Sequence, residues 1–155
     1  MDDSDYIIQE SSGTTGEPKK FRLLKKAMIY SAQQTVDFFN LTSNQLALLC
    51  LPVDYIAGKM MIVRAMLAGM HLTWVKPSSL PEIQQTGKID FCALVPLQVI
   101  NLIKSEFDFN YLRTLIIGGA ELPPEAEKKL QNISTSVYET FGMAETCSHI
   151  ALRRV

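Results

Sequence analysis

Hydrophobic and polar residues follow two kinds of pattern along this chain, one typical of helices and one typical of buried strands. Four segments have apolar residues on one face of a helix or over a helical length: Lys25–Phe39, Gly58–Leu67, Leu97–Ile103 and Pro123–Leu130. Short apolar runs between them predict strands at Leu46–Leu51, His71–Val75, Phe91–Val95, Leu112–Ile117, Val137–Phe141 and Ile150–Arg154. Strands of continuous apolar residues that alternate with helices indicate a mostly parallel sheet flanked by helices on both faces. We therefore predict a single α/β domain over residues 1–155.

Ligands of such sheets bind outside the carboxyl ends of the strands. Two turns follow predicted strands, Gly118-Gly119-Ala120-Glu121 and Phe141-Gly142-Met143-Ala144-Glu145, and we expect them to line one crevice together. Taken alone, the first turn is more often an ordinary connection between a strand and a helix, and Glu145 is more often a solvated surface acid.

The segment from Glu10 to Lys20 has the composition of a phosphate-binding loop. Four hydroxyl residues and two glycines fill six consecutive positions: Ser11, Ser12, Gly13, Thr14, Thr15 and Gly16. Hydroxyls and unhindered backbone N–H groups surround an anionic oxygen, and a lysine such as Lys19 neutralises it. The spacing differs from the P-loop of common NTPases. A flexible linker is the alternative interpretation, and the Pro18-Lys19-Lys20 ending favours phosphate binding.

The loop resembles the phosphate-binding signature of the adenylate-forming superfamily, which includes acyl-CoA synthetases, luciferases and peptide-synthetase adenylation domains. The matching residues are Ser12, Gly13, Thr14, Thr15, Gly16, Pro18 and Lys19. Ser11 replaces a threonine and Lys20 replaces a glycine of the pattern. The resemblance implies that this loop binds the phosphates of ATP, with Lys19 in a catalytic role.

The two strand-following turns also resemble superfamily motifs. By resemblance, Gly118–Glu121 lies against the adenine ring, Phe141 stacks on it, and Glu145 holds the Mg²⁺ that bridges the ATP phosphates. The nucleotide-binding residues implied in these turns are Gly118, Gly119, Ala120, Glu121, Phe141, Gly142, Met143, Ala144 and Thr146. Ala144 lacks the hydroxyl of the superfamily threonine, and Thr146 or the loop hydroxyls are candidate substitutes.

Candidate residues for the acid substrate come from two places. Leu51–Gly58 resembles the superfamily segment Leu-Pro-x-x-His-x-x-Gly, in which Tyr55 takes the position that borders the acyl pocket; an aromatic residue at the end of a core strand is the alternative. Ser148 and His149 directly follow the nucleotide motif and are candidates to face the acid, although a lone histidine is more often structural. Arg153 and Arg154 are expected to be solvated; contact of one of them with a substrate carboxylate is the alternative.

The resemblance implies an ATP-dependent acid–CoA ligase that forms an acyl-adenylate and then a CoA thioester, with a carboxylic acid, ATP and CoA as substrates and Mg²⁺ as cofactor. Residues 51–61, 94–98 and 142–152 look most like the o-succinylbenzoate–CoA ligases of menaquinone biosynthesis. A fatty-acyl or aryl-acid–CoA ligase and a non-catalytic nucleotide- or partner-binding domain remain alternatives. Superfamily enzymes are longer on both sides. We therefore expect a central part of such an enzyme, without its C-terminal lobe, inactive alone and capable of self-association.

Composition restricts partners and compartment. The net charge of −1, with mixed signs, offers no basic face for nucleic acid. Cys50, Cys92 and Cys147 have neither CxxC nor zinc spacing, so free thiols and a cytoplasmic location are expected. The acidic N-terminus is unlike a signal peptide, and the most apolar stretch, 60–70, is too short to span a membrane and contains Arg64. No membrane contact is predicted.

Overall fold

The computed structural model describes residues 4–10, 19–83 and 87–155, in which a six-stranded sheet lies between two pairs of helices. An antiparallel hairpin precedes the sheet and consists of β1 (Tyr6–Glu10) and β2 (Lys20–Leu24). The strands of the sheet are β3 (Leu46–Leu49), β4 (His71–Trp74), β5 (Ile89–Leu94), β6 (Leu112–Ile117), β7 (Ser136–Gly142) and β8 (His149–Arg154). The helices are α1 (Lys25–Phe39), α2 (Ile56–Ala68), α3 (Pro96–Lys104) and α4 (Pro124–Leu130). Short 3₁₀ turns occupy Phe109–Tyr111 and Ala144–Thr146.

The strand order in the sheet is β4-β3-β5-β6-β7-β8. All neighbours are parallel except β8, which runs antiparallel to β7. The order reverses between β3 and β5, because the chain moves outward from β3 to β4 and then returns to the other side of β3. The carboxyl ends of β3, β5, β6 and β7 consequently lie along one edge of the sheet, which is where such sheets bind ligands.

The strands are continuously apolar because both faces of the sheet are buried. On β5, Phe91 and Ala93 pack on the side of α1 and α2, whereas Cys92 and Leu94 pack on the side of α3 and α4. Successive side chains of a strand point to opposite faces, so each strand supplies both cores in turn. The predicted α/β class, with a mostly parallel sheet and helices on both faces, is confirmed.

The hairpin β1–β2 was not predicted from the sequence. Its strands have five residues each, and polar residues are interspersed with the apolar ones. Its apolar side chains Ile7, Phe21 and Leu23 pack against Met28 and other residues of the helical layer. This long-range packing, rather than a local period, stabilises the hairpin.

The three cysteines are free and buried, as predicted. Cys50 and Cys92 lie side by side in the core between the sheet and α3. A side-chain hydrogen bond with Cys50, and then burial, raise the pKa of Cys92 well above its usual range, so Cys92 remains a thiol. Within the described ranges, no helix combines the length and apolar character that crossing a bilayer requires.

Candidate active site

The two glycine-bearing turns meet at the carboxyl edge of the sheet, as expected. The N–H of Gly118 donates to the carbonyl of Leu94 over 3.1 Å, which fixes the start of the first turn to β5. A Cβ at Gly118 would collide with the hydroxyl of Thr140 on β7, so the backbone of one turn lies directly against the strand that carries the other. Gly119 has φ of +93°, a conformation that favours glycine.

The end of β7 presents an exposed aromatic ring. Phe141 is 67% exposed, and Met143 and Glu145 beyond it are exposed as well. The pairing of β7 with β8 is irregular at Phe141 and Gly142, and a Cβ at Gly142 would collide with the backbone of Ser148 and His149. Irregular pairing of this kind often redirects side chains next to active sites. The face of Phe141 is therefore open for stacking.

The hydroxyl of Thr146 is engaged within its own turn. It accepts a hydrogen bond from the N–H of Met143 over 3.1 Å and lies 2.7 Å from the carbonyl oxygen of Ser148, to which it can donate. The structure thus uses Thr146 to hold the turn. It does not offer this hydroxyl as a replacement for the one that Ala144 lacks.

Tyr55 lies at the same edge, immediately before α2 and with an exposed ring. Its turn is tied to the hairpin through the buried side chain of Gln9, whose amide nitrogen donates to the carbonyl of Asp54 over 3.1 Å. The ammonium of Lys59 donates to Gln9 Oε1 over 2.8 Å and to the Asp54 carbonyl over 2.9 Å. The strand that leads into residue 11 is therefore anchored beside Tyr55.

The predicted phosphate-binding residues lie outside the described residues; these are Ser11, Ser12, Gly13, Thr14, Thr15 and Gly16. The strands on either side of them pair with each other, with Glu10 opposite Lys20 and an ion pair of 3.4 Å between their side chains. Lys19 is exposed and directly precedes β2.

A buried arginine lies next to the two residues predicted to face the acid. Arg64 of α2 is only 2% exposed, and its Nη2 donates to Ser148 Oγ over 2.6 Å. Its Nε is buried without a hydrogen-bond partner among the described residues. Burial lowers the pKa of Arg64 to about 10, which leaves it charged at neutral pH. An unsatisfied N–H on a buried cation favours binding of an anion.

His149 borders the same group. Its Nε2 lies 3.3 Å from Thr35 Oγ1 and its Nδ1 lies 3.5 Å from Ser148 Oγ. Burial, together with the nearby charge of Arg64, lowers the pKa of His149 to about 4. The imidazole is therefore neutral at pH 7. The sequence identified Ser148 and His149 but treated Arg64 only as an interruption of an apolar stretch, although a charge within an apolar helix was itself a signal.

A cleft of about 640 Å³ adjoins this group between α1 and β8. Thr146 and His149 line it together with Tyr30 and Phe38 of α1. Its size falls in the range of small-molecule sites. The cleft therefore offers space for the apolar part of a ligand whose charged end reaches the site residues.

The residues present fit a nucleotide with its metal ion. Gly118 and Gly119 leave the backbone accessible, Phe141 exposes a ring, and Glu145 presents a carboxylate to solvent. Within the described residues, no three metal-ligating side chains cluster. A single carboxylate is compatible with Mg²⁺, which usually takes one or two protein carboxylates and completes its shell with substrate phosphates and water.

Arg153 is exposed, as expected, and it also bridges β8 to β7 and α4. Its guanidinium forms ion pairs of 2.8 Å with Glu127 and 2.7 Å with Glu139. Arg153 is thus part of the framework that surrounds the turns.

This fold and this set of turns define an AMP-binding enzyme, and the chain belongs to that family: the family model "AMP-binding enzyme" matches residues 2–155. Among curated relatives, it is 27% identical over 150 residues to the 2-succinylbenzoate–CoA ligase of Lactococcus lactis, a match that covers 95% of this chain and 33% of that protein. The 2-succinylbenzoate–CoA ligase of a Staphylococcus epidermidis strain is 29% identical over 145 residues, covering 91% of this chain and 31% of that protein. The resemblance noted from the sequence is thereby confirmed.

Solved structures show the same fold. The acyl-CoA synthetase (AMP-forming)/AMP-acid ligase II-like protein of Dyadobacter fermentans superposes with a TM-score of 0.89 and 31% identity, over 98% of this chain and 45% of that one. The o-succinylbenzoate coenzyme A synthetase of Bacillus subtilis, solved with ATP and a magnesium ion, superposes with a TM-score of 0.80 and 20% identity, over 95% of this chain and 32% of that one. The chain spans about a third of the length of the curated relatives it matches.

Proposed function

We propose that this chain supplies the nucleotide- and acid-binding core of an ATP-dependent acid–CoA ligase, with o-succinylbenzoate as the acid. The observation that carries the proposal is the meeting of three features at one edge of the sheet: the turn Gly118–Glu121, the exposed Phe141 and Glu145, and the buried Arg64. The curated relatives named 2-succinylbenzoate–CoA ligase support the choice of acid.

We assign a part of this chain to each part of the nucleotide. The face of Phe141 is open to stack on the base, a contact worth about 1–3 kcal/mol in nucleic-acid systems. Gly118 and Gly119 let the main chain approach the flat ring. Glu145 holds Mg²⁺, and the hydroxyl-rich segment with Lys19 contacts the phosphates. When bound, Mg²⁺ neutralises the charge that develops on the phosphates.

Arg64 explains why a dicarboxylic acid suits the site. A ligase activates one carboxylate of o-succinylbenzoate, and the other carboxylate needs a counter-charge. The buried guanidinium has an unpartnered Nε, and Ser148 and neutral His149 lie beside it. A guanidinium pairs with a carboxylate through two parallel hydrogen bonds, which gives orientation as well as affinity. We infer that Arg64 binds the unreacted carboxylate.

The proposed reaction has two steps. An oxygen of the acid's carboxylate forms a bond to the α-phosphorus of ATP, the bond from that phosphorus to the bridging oxygen breaks, and pyrophosphate leaves. The thiolate of CoA then forms a bond to the acyl carbon, and AMP leaves. The residues of this chain bind and orient the reactants and stabilise negative charge on the phosphates.

Nucleotide binding is tested by thermal unfolding of the 155-residue chain with and without Mg-ATP. At a ligand concentration about 100 times the Kd, binding stabilises the folded state by about 2.7 kcal/mol. We expect this stabilisation in the wild type and in the control Glu125→Ala, an exposed acid of α4, and a much smaller one in Phe141→Ala and Glu145→Ala. Unchanged melting of the wild type would instead support a non-catalytic scaffold.

The acid is tested by calorimetric titration of wild type and Arg64→Met with o-succinylbenzoate and with analogues that lack either carboxylate. Loss of a charged hydrogen-bonded partner costs about 1.5–3 kcal/mol, so Arg64→Met should bind o-succinylbenzoate about 10- to 150-fold more weakly. The analogue that lacks the unreacted carboxylate should bind both proteins equally. Tighter binding of a long-chain fatty acid or of benzoate would favour the alternative acid ligases.

A further inference from the structure

We propose that Glu139, held in place by Arg153, is a positioning residue that sets the turn Gly118–Glu121 for the nucleotide base. Glu139 belongs to none of the motifs that suggested the site. The inference rests on the proposed function, because the proposed function is what places the turn Gly118–Glu121 against the base.

Glu139 holds the far end of this turn. Its Oε1 accepts a hydrogen bond of 2.8 Å from the N–H of Leu122, the residue that directly follows the turn. The near end is held by the bond from Gly118 N–H to the carbonyl of Leu94. One end of the turn is therefore fixed to β5 and the other to β7.

The turn depends on these two attachments. In the part of the chain that the structure describes, Gly119, Ala120 and Glu121 make no hydrogen bond of their own, and all three are exposed. The side chain of Leu122 is buried in the core beside α4. Removal of the Glu139 carboxylate would leave the Leu122 N–H without its acceptor, which frees the end of the turn.

Arg153 fixes the orientation of the Glu139 carboxylate. The two residues are directly opposite each other on β7 and β8. Arg153 Nε and Nη2 donate to Glu139 Oε2 over 3.1 and 2.7 Å, which leaves Oε1 directed at Leu122. Arg153 Nη1 and Nη2 also donate to the two carboxylate oxygens of Glu127 over 2.8 and 2.9 Å, so α4 supports the guanidinium in turn.

The carboxylate that contacts the turn is ionised at neutral pH. The N–H of Leu122, and then the guanidinium of Arg153, lower the pKa of Glu139 below its usual range. Hydrogen bonds to ionised acceptors are shorter and stronger than neutral ones. The turn is therefore attached through a charged hydrogen bond whose geometry two other elements determine.

The first test compares a nucleotide with a ligand that has no base. Affinities of the 155-residue chain for Mg-ATP and for Mg²⁺-inorganic tripolyphosphate are measured for wild type, Glu139→Ala and Glu139→Gln, with Glu125→Ala as the matched control. We expect Glu139→Ala to weaken ATP binding about tenfold and to leave tripolyphosphate binding unchanged. Glu139→Gln, which keeps an acceptor for Leu122, should recover part of the loss. Equal loss of both affinities, or no loss of either, would overturn the inference.

The second test needs no ligand and separates this inference from the proposed function. Amide hydrogen exchange of Leu122 is expected to accelerate in Glu139→Ala, while the core amide of Leu115 exchanges as in wild type. If the wild type binds no nucleotide, the proposed function fails and this exchange comparison alone decides whether Glu139 holds the turn. Wild-type protection of Leu122 in Glu139→Ala would show that it does not.

Discussion

A single buried charge distinguishes this site at the scale of the residue. Arg64 is buried, yet it keeps an N–H that no described residue satisfies. Burying a charge is costly unless it is paired, so proteins rarely retain one without a use. Its hydrogen bond to Ser148 and its effect on His149 join Arg64 to two consecutive residues that are more than 80 positions away, and we propose that this group binds an anion.

His149 should make the stability of the protein depend on pH. Its pKa in the folded protein is about 4, below the ordinary value of about 6.5. At pH values between these two, the unfolded chain therefore binds more protons than the folded chain. The stabilisation is complete above pH 6.5 and is lost as the pH falls toward 4. Between pH 7 and 5 we expect a loss of at most about 2 kcal/mol, reduced by solvent screening because the ring is partly exposed.

Urea unfolding of wild type and His149→Gln at several pH values between 5 and 7 checks this expectation. The free energy of unfolding of His149→Gln should change less with pH than that of the wild type, because the variant has no imidazole to titrate. The pH range of the measurement stops at 5 so that Glu127 and Glu139, whose pKa values are both lowered, do not contribute to the slope. Parallel slopes for the two proteins would contradict the assignment.

Elements approach one another most closely where the chain has glycine. Gly58 brings the first turn of α2 against the carbonyl of Pro52, and Gly142 brings β7 against the start of β8. At both positions a Cβ would meet backbone atoms, which cannot rotate away. The arrangement of the site therefore depends on the absence of side chains at these two contacts.

Gly142→Ala should destabilise the protein by about 1–3 kcal/mol, a typical cost of forcing extra atoms into a packed region. The matched control is Gly87→Ala, because a Cβ at Gly87 would meet nothing within 4 Å. The control should stay within about 0.5 kcal/mol of wild type. The measurement is the free energy of unfolding in urea. Equal values for the two variants would show that the β7–β8 contact relaxes freely.

Prediction of the elements from the sequence worked where their periodicity is local. The boundaries of α1 and β6 were predicted to the residue, and α2 differs by two residues at its start and one at its end. The hairpin β1–β2 was missed because its short strands are stabilised by packing on α1 and α2 and carry no local signal of their own. The ion pairs of Arg153 were not predicted for a similar reason, since its partners Glu127 and Glu139 lie 26 and 14 positions away.

At the scale of the whole molecule, the sheet has two edge strands among the described residues, β4 and β8. β4 pairs with β3 on one side only, and Trp74 at its end is 73% exposed. An exposed apolar edge strand offers unpaired N–H and carbonyl groups to another chain. We therefore expect the isolated chain to associate along the β4 edge.

Trp74→Lys should reduce concentration-dependent association, because an edge lysine opposes strand pairing between molecules. Met66→Lys is the matched control, since Met66 is 76% exposed and belongs to α2 and not to the edge strand. Light scattering over a range of protein concentrations measures the effect. Similar behaviour of the two variants would indicate that general apolar exposure, and not the edge strand, drives association.

The sequence by itself determined the order and type of most elements, the α/β class and the nucleotide motifs, because periodicity and turn chemistry depend on residues that are close along the chain. Only the tertiary structure decided that Gly118 lies against β7, that Arg64 reaches Ser148 from 84 positions away, and that Glu139 and Arg153 hold the turn at Leu122. Burial, hydrogen bonding and pKa values depend on neighbours in space. The strand order brings those neighbours together, and no local sequence pattern encodes that order.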